Sequence, residues 1–138
     1  MDVNVWLAIS TPDSPHHERA RRYWHFESGE RVALCRVTAL AILREWTNSR
    51  IMRHAVLTSA EAWVEHERWL ALPVVIALGE QDGLDSSFGS YATTLTLGEV
   101  SWTDAYLAAL CVASRRRMIS FDVGLRRYTG LDLLHLKA

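Results

Sequence analysis

The sequence predicts an α/β fold, a three-layer sandwich in which a mainly parallel β-sheet is flanked by helices. Two observations carry this: apolar runs of strand length recur along the chain, and they alternate with stretches that have helix starts and helical apolar spacing. Parallel strands need crossovers and helices supply them, so the alternation itself argues for a parallel sheet. With 138 residues, 49% hydrophobic and 22% charged, the chain is long enough to bury a core and reads as one domain over 1–138, without repeat or linker.

The elements follow in order. Val3, Val5, Leu7 and Ile9 alternate as a short first strand, with Asp2 and Asn4 on the opposite phase. Ser14 as cap and Pro15 in the first turn open a mostly surface helix that runs through Arg22 to Trp24. Val32–Cys35, within 31–37, is a compact apolar run suited to a buried strand, and a helix follows from about Thr38 to Asn48. Thr58 and Glu61 have capping-box spacing; Trp63, Val64, Leu70 and Ala71 then form an apolar stripe opposite a charged face. Pro73 ends that helix, Val74–Leu78 reads as a third strand, and 79–83 as a polar turn. A helix is expected over Ser86–Leu97. The segment 105–113 carries no charge, with Thr103 as cap and Ser114 and three arginines beyond it, which marks a central buried helix. Met118–Phe121 and Leu131–Leu136 supply two further strands.

Composition excludes several chemistries. Net charge is −1, so bulk electrostatic coating of nucleic acid is excluded, while a local basic groove is not. Of the fifteen basic residues only Lys137 is a lysine, and no GxxxxGK or GxSxG occurs, which removes P-loop chemistry and the usual serine nucleophile. Receiver domains and haloacid-dehalogenase-type phosphatases use an internal lysine that this chain lacks. Cys35 and Cys111 lack CxxC spacing and read as buried free thiols. No apolar stretch reaches the roughly 18 residues of a bilayer span, and no leader is evident, so a cytoplasmic protein with no membrane partner is expected. His16 and His17 point to different helical faces and read as structural; the six tryptophans read as core packing before base stacking.

Three acids fall at element ends, where ligands collect in open α/β sheets. Asp2 begins the first strand, Asp104 opens the most buried helix, and Asp122 directly follows the last hydrophobic strand before the turn at Gly124. Singly, each has an ordinary reading: a frayed terminus, a first-turn acid favoured by the helix dipole, and a turn former. Together, carboxylates at one sheet edge repel unless a cation neutralises them, and an oxygen-only donor set favours Mg²⁺ or Mn²⁺ over zinc. Arg126 and Arg127, next to Asp122, are placed to pair with a backbone phosphate, whereas 115–117 reads as helix C-terminal compensation.

The order DVNVWLA at 2–8, SPHHERARRYW at 14–24, VTALAILREWTN at 37–48, TDAYLAALC at 103–111 and ISFDVGLRR at 119–127 resembles the PIN-domain ribonucleases of the VapC toxin type over essentially the whole chain. The resemblance implies a PIN-like fold and a metal-dependent endoribonuclease, usually held inactive by a small antitoxin and commonly a homodimer. Carried over by position, Asp2, Asp104 and Asp122 match the metal-binding acids, Ser120 the hydroxyl position and Asn4 the polar residue after the first acid. Many members place a glutamate where this chain has Ala41. Glu45, one helical turn on, is the replacement candidate; its ordinary reading is a solvated acid beside Arg44. The family's first strand usually has several apolar residues before its acid, where only Met1 stands here, so the start of this chain is expected to be late. The expected reaction is hydrolysis of unpaired RNA by a metal-bound water. Two alternatives stay open: a PIN-fold nuclease of RNA processing outside toxin biology, and a catalytically weak PIN-fold module that binds RNA or protein.

Overall fold

A computed structural model describes residues 1–29, 31–94 and 101–137. The chain divides into two compact units: Met1 with Val3–Gly79, and Asp2 with Glu80–Ala138.

In the first unit, α1 is Val3–Ser10, α2 His17–Arg22 continuing into a π-helical turn Tyr23–Glu27, β1 Val32–Cys35, α3 Arg36–Trp46, α4 Ser49–Met52, α5 Ser59–Ala71 and β2 Val75–Leu78. β1 and β2 pair in parallel, Val32 opposite Val75 through Cys35 opposite Leu78, with α3 to α5 as the crossover. The core gathers Trp6, Val32, Leu34, Ala39, Ile42, Trp46, Met52, Ala62 and Val75. Its centre is aromatic. Trp6 stacks on Trp69 at 4.7 Å and meets Trp24 edge-on at 5.6 Å, while Trp46 meets Trp69 edge-on at 4.9 Å. Such pairs contribute about 0.5–1.5 kcal/mol each beyond the area they bury. The Trp46 indole N–H donates to Ser10 Oγ at 3.0 Å, which ties α3 to α1.

Three expectations for this unit are corrected. Residues 3–9 form a helix rather than a strand: Val5, Trp6 and Ala8 are the buried positions, a helical set that alternation does not describe. A short, nearly continuous apolar run fits either conformation, and tertiary burial decided. The second helix begins at His17 with no side-chain cap; Ser14 Oγ instead accepts the amide of His16. On α5 the buried residues are Ala62 and His66, with Trp69 packed against the core, whereas Trp63, Val64 and Leu70 are exposed. The capping box itself is present, with Thr58 Oγ1 accepting from the Glu61 amide and Glu61 accepting from the Thr58 amide. Helix α5 stops at Leu72, whose extended backbone is what a following proline requires.

The second unit contains α6 (Leu84–Thr94), α7 (Trp102–Ala113), β3 (Met118–Ser120), a 3₁₀ turn (Val123–Arg127) and β4 (Leu133–His135). The expected helix end at 95–97 lies outside the described residues. β3 and β4 are parallel, Met118 opposite Leu133 and Ser120 opposite His135. Helix α7 buries Ala105, Leu107, Ala108, Ala109 and Leu110; its small residues let neighbours approach closely. Its cap is Ser101, not Thr103: the Ser101 hydroxyl accepts the Asp104 amide at 3.3 Å. Of the six tryptophans, Trp102 is 62% and Trp63 49% exposed, against the expectation of core packing throughout. Cys35 and Cys111 are free thiols; Cys35 is buried and Cys111 half-buried.

Burial, with the Arg36 charge adding to it, holds the His66 imidazole below its ordinary range, opposed by Glu67. A histidine depressed by folding contributes stability above its unfolded value of about 6.5 and loses it as pH falls through the lower folded value. The thermal midpoint is therefore expected to fall on acidification below about pH 6.5, and a His66→Leu variant to show a shallower slope there. An unchanged slope would contradict the assignment.

Candidate active site

β3 ends at Ser120, which has no solvent exposure. Backbone groups of alternate strand residues point to opposite edges. On one edge Ser120 C=O accepts from Leu136 N–H at 2.8 Å; on the other Ile119 C=O accepts from Asp2 N–H at 2.9 Å. Asp2 is thereby fixed beside β3 before the chain turns into α1. Its carboxylate is buried, and the Ser120 hydroxyl donates to Asp2 Oδ2 at 2.6 Å while accepting the Asp122 amide at 2.9 Å. One hydroxyl thus orients the first acid and the backbone of the third.

Asp122 caps the 3₁₀ turn: its Oδ1 accepts from Gly124 N–H at 2.7 Å. A Cβ at position 124 would lie 2.9 Å from that oxygen, so any other residue there would make the carboxylate shift. His135, opposite Ser120 on β4, donates from Nε2 to the Phe121 carbonyl at 3.1 Å and steadies the same corner.

Asp104 stands in the first turn of α7, placed there by the Ser101 cap. Its Oδ2 is 3.5 Å from Arg127 Nη2. The same nitrogen donates to the Tyr128 hydroxyl at 3.2 Å, and the guanidinium carbon lies 5.1 Å from the Tyr128 ring centre. Burial pushes the Tyr128 hydroxyl above its usual range; Arg127 opposes this, and the negative charges of Asp104 and Asp122 add to it. Both acids therefore act on one buried phenol.

The structure links Asp2 to Asp122 through Ser120, and Asp104 to Arg127, all in the second unit. Arg126 is exposed. Asn4 lies on α1 and Glu45 on α3, both half-buried in the first unit. Among the described residues no three histidine, cysteine, aspartate or glutamate side chains, Asp2, Asp104 and Asp122 included, are placed together to hold a metal ion. Oxygen donors without a closed cage suit a hard cation that keeps several waters and takes one or two carboxylates, as Mg²⁺ does. Sequence reasoning missed Tyr128, His135 and the steric role of Gly124. The glycine two residues after Asp122 was the one available signal.

No family model matches the chain. Ribonuclease VapC41 of Mycobacterium tuberculosis is 30% identical to it over 138 residues, covering 96% of this chain and 94% of the relative. The crystal structure of Mycobacterium tuberculosis VapC20, described as a sarcin-ricin loop cleaving toxin, superposes with a TM-score of 0.69 at 15% identity, covering 95% of each chain. VapBC-1 from nontypeable Haemophilus influenzae superposes with a TM-score of 0.70 at 15% identity, covering 98% of this chain and 95% of the other. These likenesses bear out the mixed α/β, PIN-like fold.

Replacing Ser120 by alanine removes a donor from the buried Asp2 and an acceptor from the Asp122 amide, which is expected to cost about 1–3 kcal/mol in urea unfolding. A loss below about 0.5 kcal/mol would mean that the bridge is not what holds this corner.

Proposed function

The chain belongs to the VapC ribonuclease family, and we propose that it is a metal-dependent endoribonuclease, the toxin of a toxin-antitoxin pair, that hydrolyses phosphodiester bonds in single-stranded regions of RNA. The observation that carries this reading is the Ser120 bridge between Asp2 and Asp122, in the same unit as Asp104 at the start of α7. The proposed site residues are Asp2, Asp104 and Asp122 as oxygen donors, Ser120 as the group that orients two of them, and Arg126 and Arg127 for the phosphate. Asn4 and Glu45 enter as expectations from the resemblance. The proposed ion is Mg²⁺ or Mn²⁺, which when bound would supply an activated water and neutralise charge developing on the phosphate oxygens.

The protein's own residues do the rest. Ser120 keeps Asp2 from swinging out of its buried position, and Gly124 leaves room for Asp122 to cap its turn. A guanidinium at Arg127 offers paired donors to a non-bridging phosphate oxygen. No covalent enzyme intermediate is needed. Partners are proposed on similar grounds: a small cognate antitoxin and a second copy of the chain. Exposed Trp63, Val64, Leu70 and Leu72 on and beside α5, and a groove of about 720 Å³ lined by Ile9, Trp46, Met52, Leu57 and Trp69 among others, have the apolar character of a protein-binding surface. Among the described residues no helix is long and apolar enough to cross a membrane; a cytoplasmic setting and action as one domain over 1–138 belong to the proposal. A second reading, a binding module with little turnover, is motivated by Ala41 at the family's glutamate position.

Purified protein decides between them. With Mn²⁺ or Mg²⁺, cleavage of a single-stranded RNA is expected to fall by on the order of 100-fold or more in Asp104→Asn and to stop on chelation. Equal rates for the variant and the parent would leave only binding. Gly124→Ala is expected to slow cleavage about 10- to 100-fold while unfolding at a similar urea concentration. Undiminished cleavage would show that the Asp122 carboxylate need not be held where Gly124 allows it.

A further inference from the structure

We propose that Arg127 is a built-in counter-ion of Asp104, one that gives way when a divalent cation engages that acid and then serves the substrate phosphate. The inference rests on the nuclease reading above and adds an order of events to it.

The argument begins with the kind of contact Arg127 makes. A charge-assisted hydrogen bond between guanidinium and carboxylate is ordinarily about 2.7–2.9 Å long and often two-pronged. Arginines elsewhere in this chain achieve close pairing: Arg19 reaches both Glu27 oxygens at 3.0 and 3.1 Å, and Arg117 Nε lies 3.0 Å from both Asp132 oxygens. Arg127 instead stands 3.5 Å from one oxygen of Asp104 and spends its hydrogen bond on the Tyr128 hydroxyl. It balances the charge of Asp104 without closing a fork around it.

The two ends of this arrangement differ in freedom. Tyr128 is buried and meets Tyr91 edge-on at 5.1 Å, while the Tyr91 hydroxyl donates to the Thr129 carbonyl, so the anchor is fixed. The Arg127 side chain is 43% exposed and Asp104 29%, which leaves the ion pair well screened and inexpensive to separate. A carboxylate that is to take a dication cannot also keep a nearby cation at full strength: once Asp104 is engaged, its attraction for Arg127 falls and the two positive charges repel. The guanidinium is then released beside the site, where it can pair with the polyanionic substrate.

Titration calorimetry with Mn²⁺ alone on the purified full chain tests this. Arg127→Gln is expected to bind Mn²⁺ about three- to tenfold more tightly than the parent, because the competing charge is gone, yet to show a raised KM for single-stranded RNA. Arg127→Lys keeps the charge and is expected to stay within about twofold of the parent in Mn²⁺ affinity. Equal or weaker Mn²⁺ binding by Arg127→Gln, in a protein whose binding is lost in Asp104→Asn, would overturn the counter-ion role and leave the metal reading standing. Mn²⁺ binding that Asp104→Asn does not alter would overturn both.

Discussion

The hydrogen bond from Ser120 to Asp2 joins residues 118 positions apart and is buried. A buried carboxylate is tolerable only if its oxygens are partnered, and removing a partner costs more than the bond gains. Ser120 meets that requirement from the end of a strand already committed on both edges, to Leu136 on one side and, through Ile119, to the Asp2 amide on the other. Main chain and side chain therefore place Asp2 twice over. Because the same hydroxyl accepts the Asp122 amide, the geometry of two acids depends on one atom.

The remaining electrostatics follow from that constraint. The acids at the end of β3 and the acid at the start of α7 each need a partner, and the protein supplies them separately: a hydroxyl for Asp2, a backbone amide for Asp122, a loosely held guanidinium for Asp104. None of these is a closed ligand shell. Each is a partner of modest strength, and a hydrated hard cation takes one or two carboxylates while keeping several waters. A fully paired, bidentate network at the same place would favour the empty protein over the loaded one.

Much of the architecture was legible in the sequence. The uncharged run of α7, the capping box at Thr58, the apolar runs of β1 and β2 and the two acids Asp104 and Asp122 at element ends all depend on local chemistry, and local chemistry is what periodicity and caps report. The first segment was misread because Val3, Val5, Leu7 and Ile9 alternate in a run that is also apolar enough to be a buried helix. Only the packing of Trp6 against Trp24 and Trp69 decides between the two. The α5 face was misassigned for a related reason: residue type suggested Trp63 and Val64, yet Ala62, His66 and Trp69 are the inward positions. The candidate acids could be named from their places along the chain. Their coupling could not, because the Ser120 bridge and the Arg127 pair are tertiary contacts with no sequence spacing to announce them.

The claim at the centre is that the acids at the end of β3 and the start of α7 share one divalent cation. Crystals of the protein grown with Mn²⁺ and measured at a wavelength where manganese scatters anomalously locate that ion directly. The account predicts an anomalous peak in contact with carboxylate oxygens of Asp2 and Asp104, with Arg127 turned away from Asp104. A well-ordered site with no peak there, or a peak bound only by residues elsewhere, would contradict it.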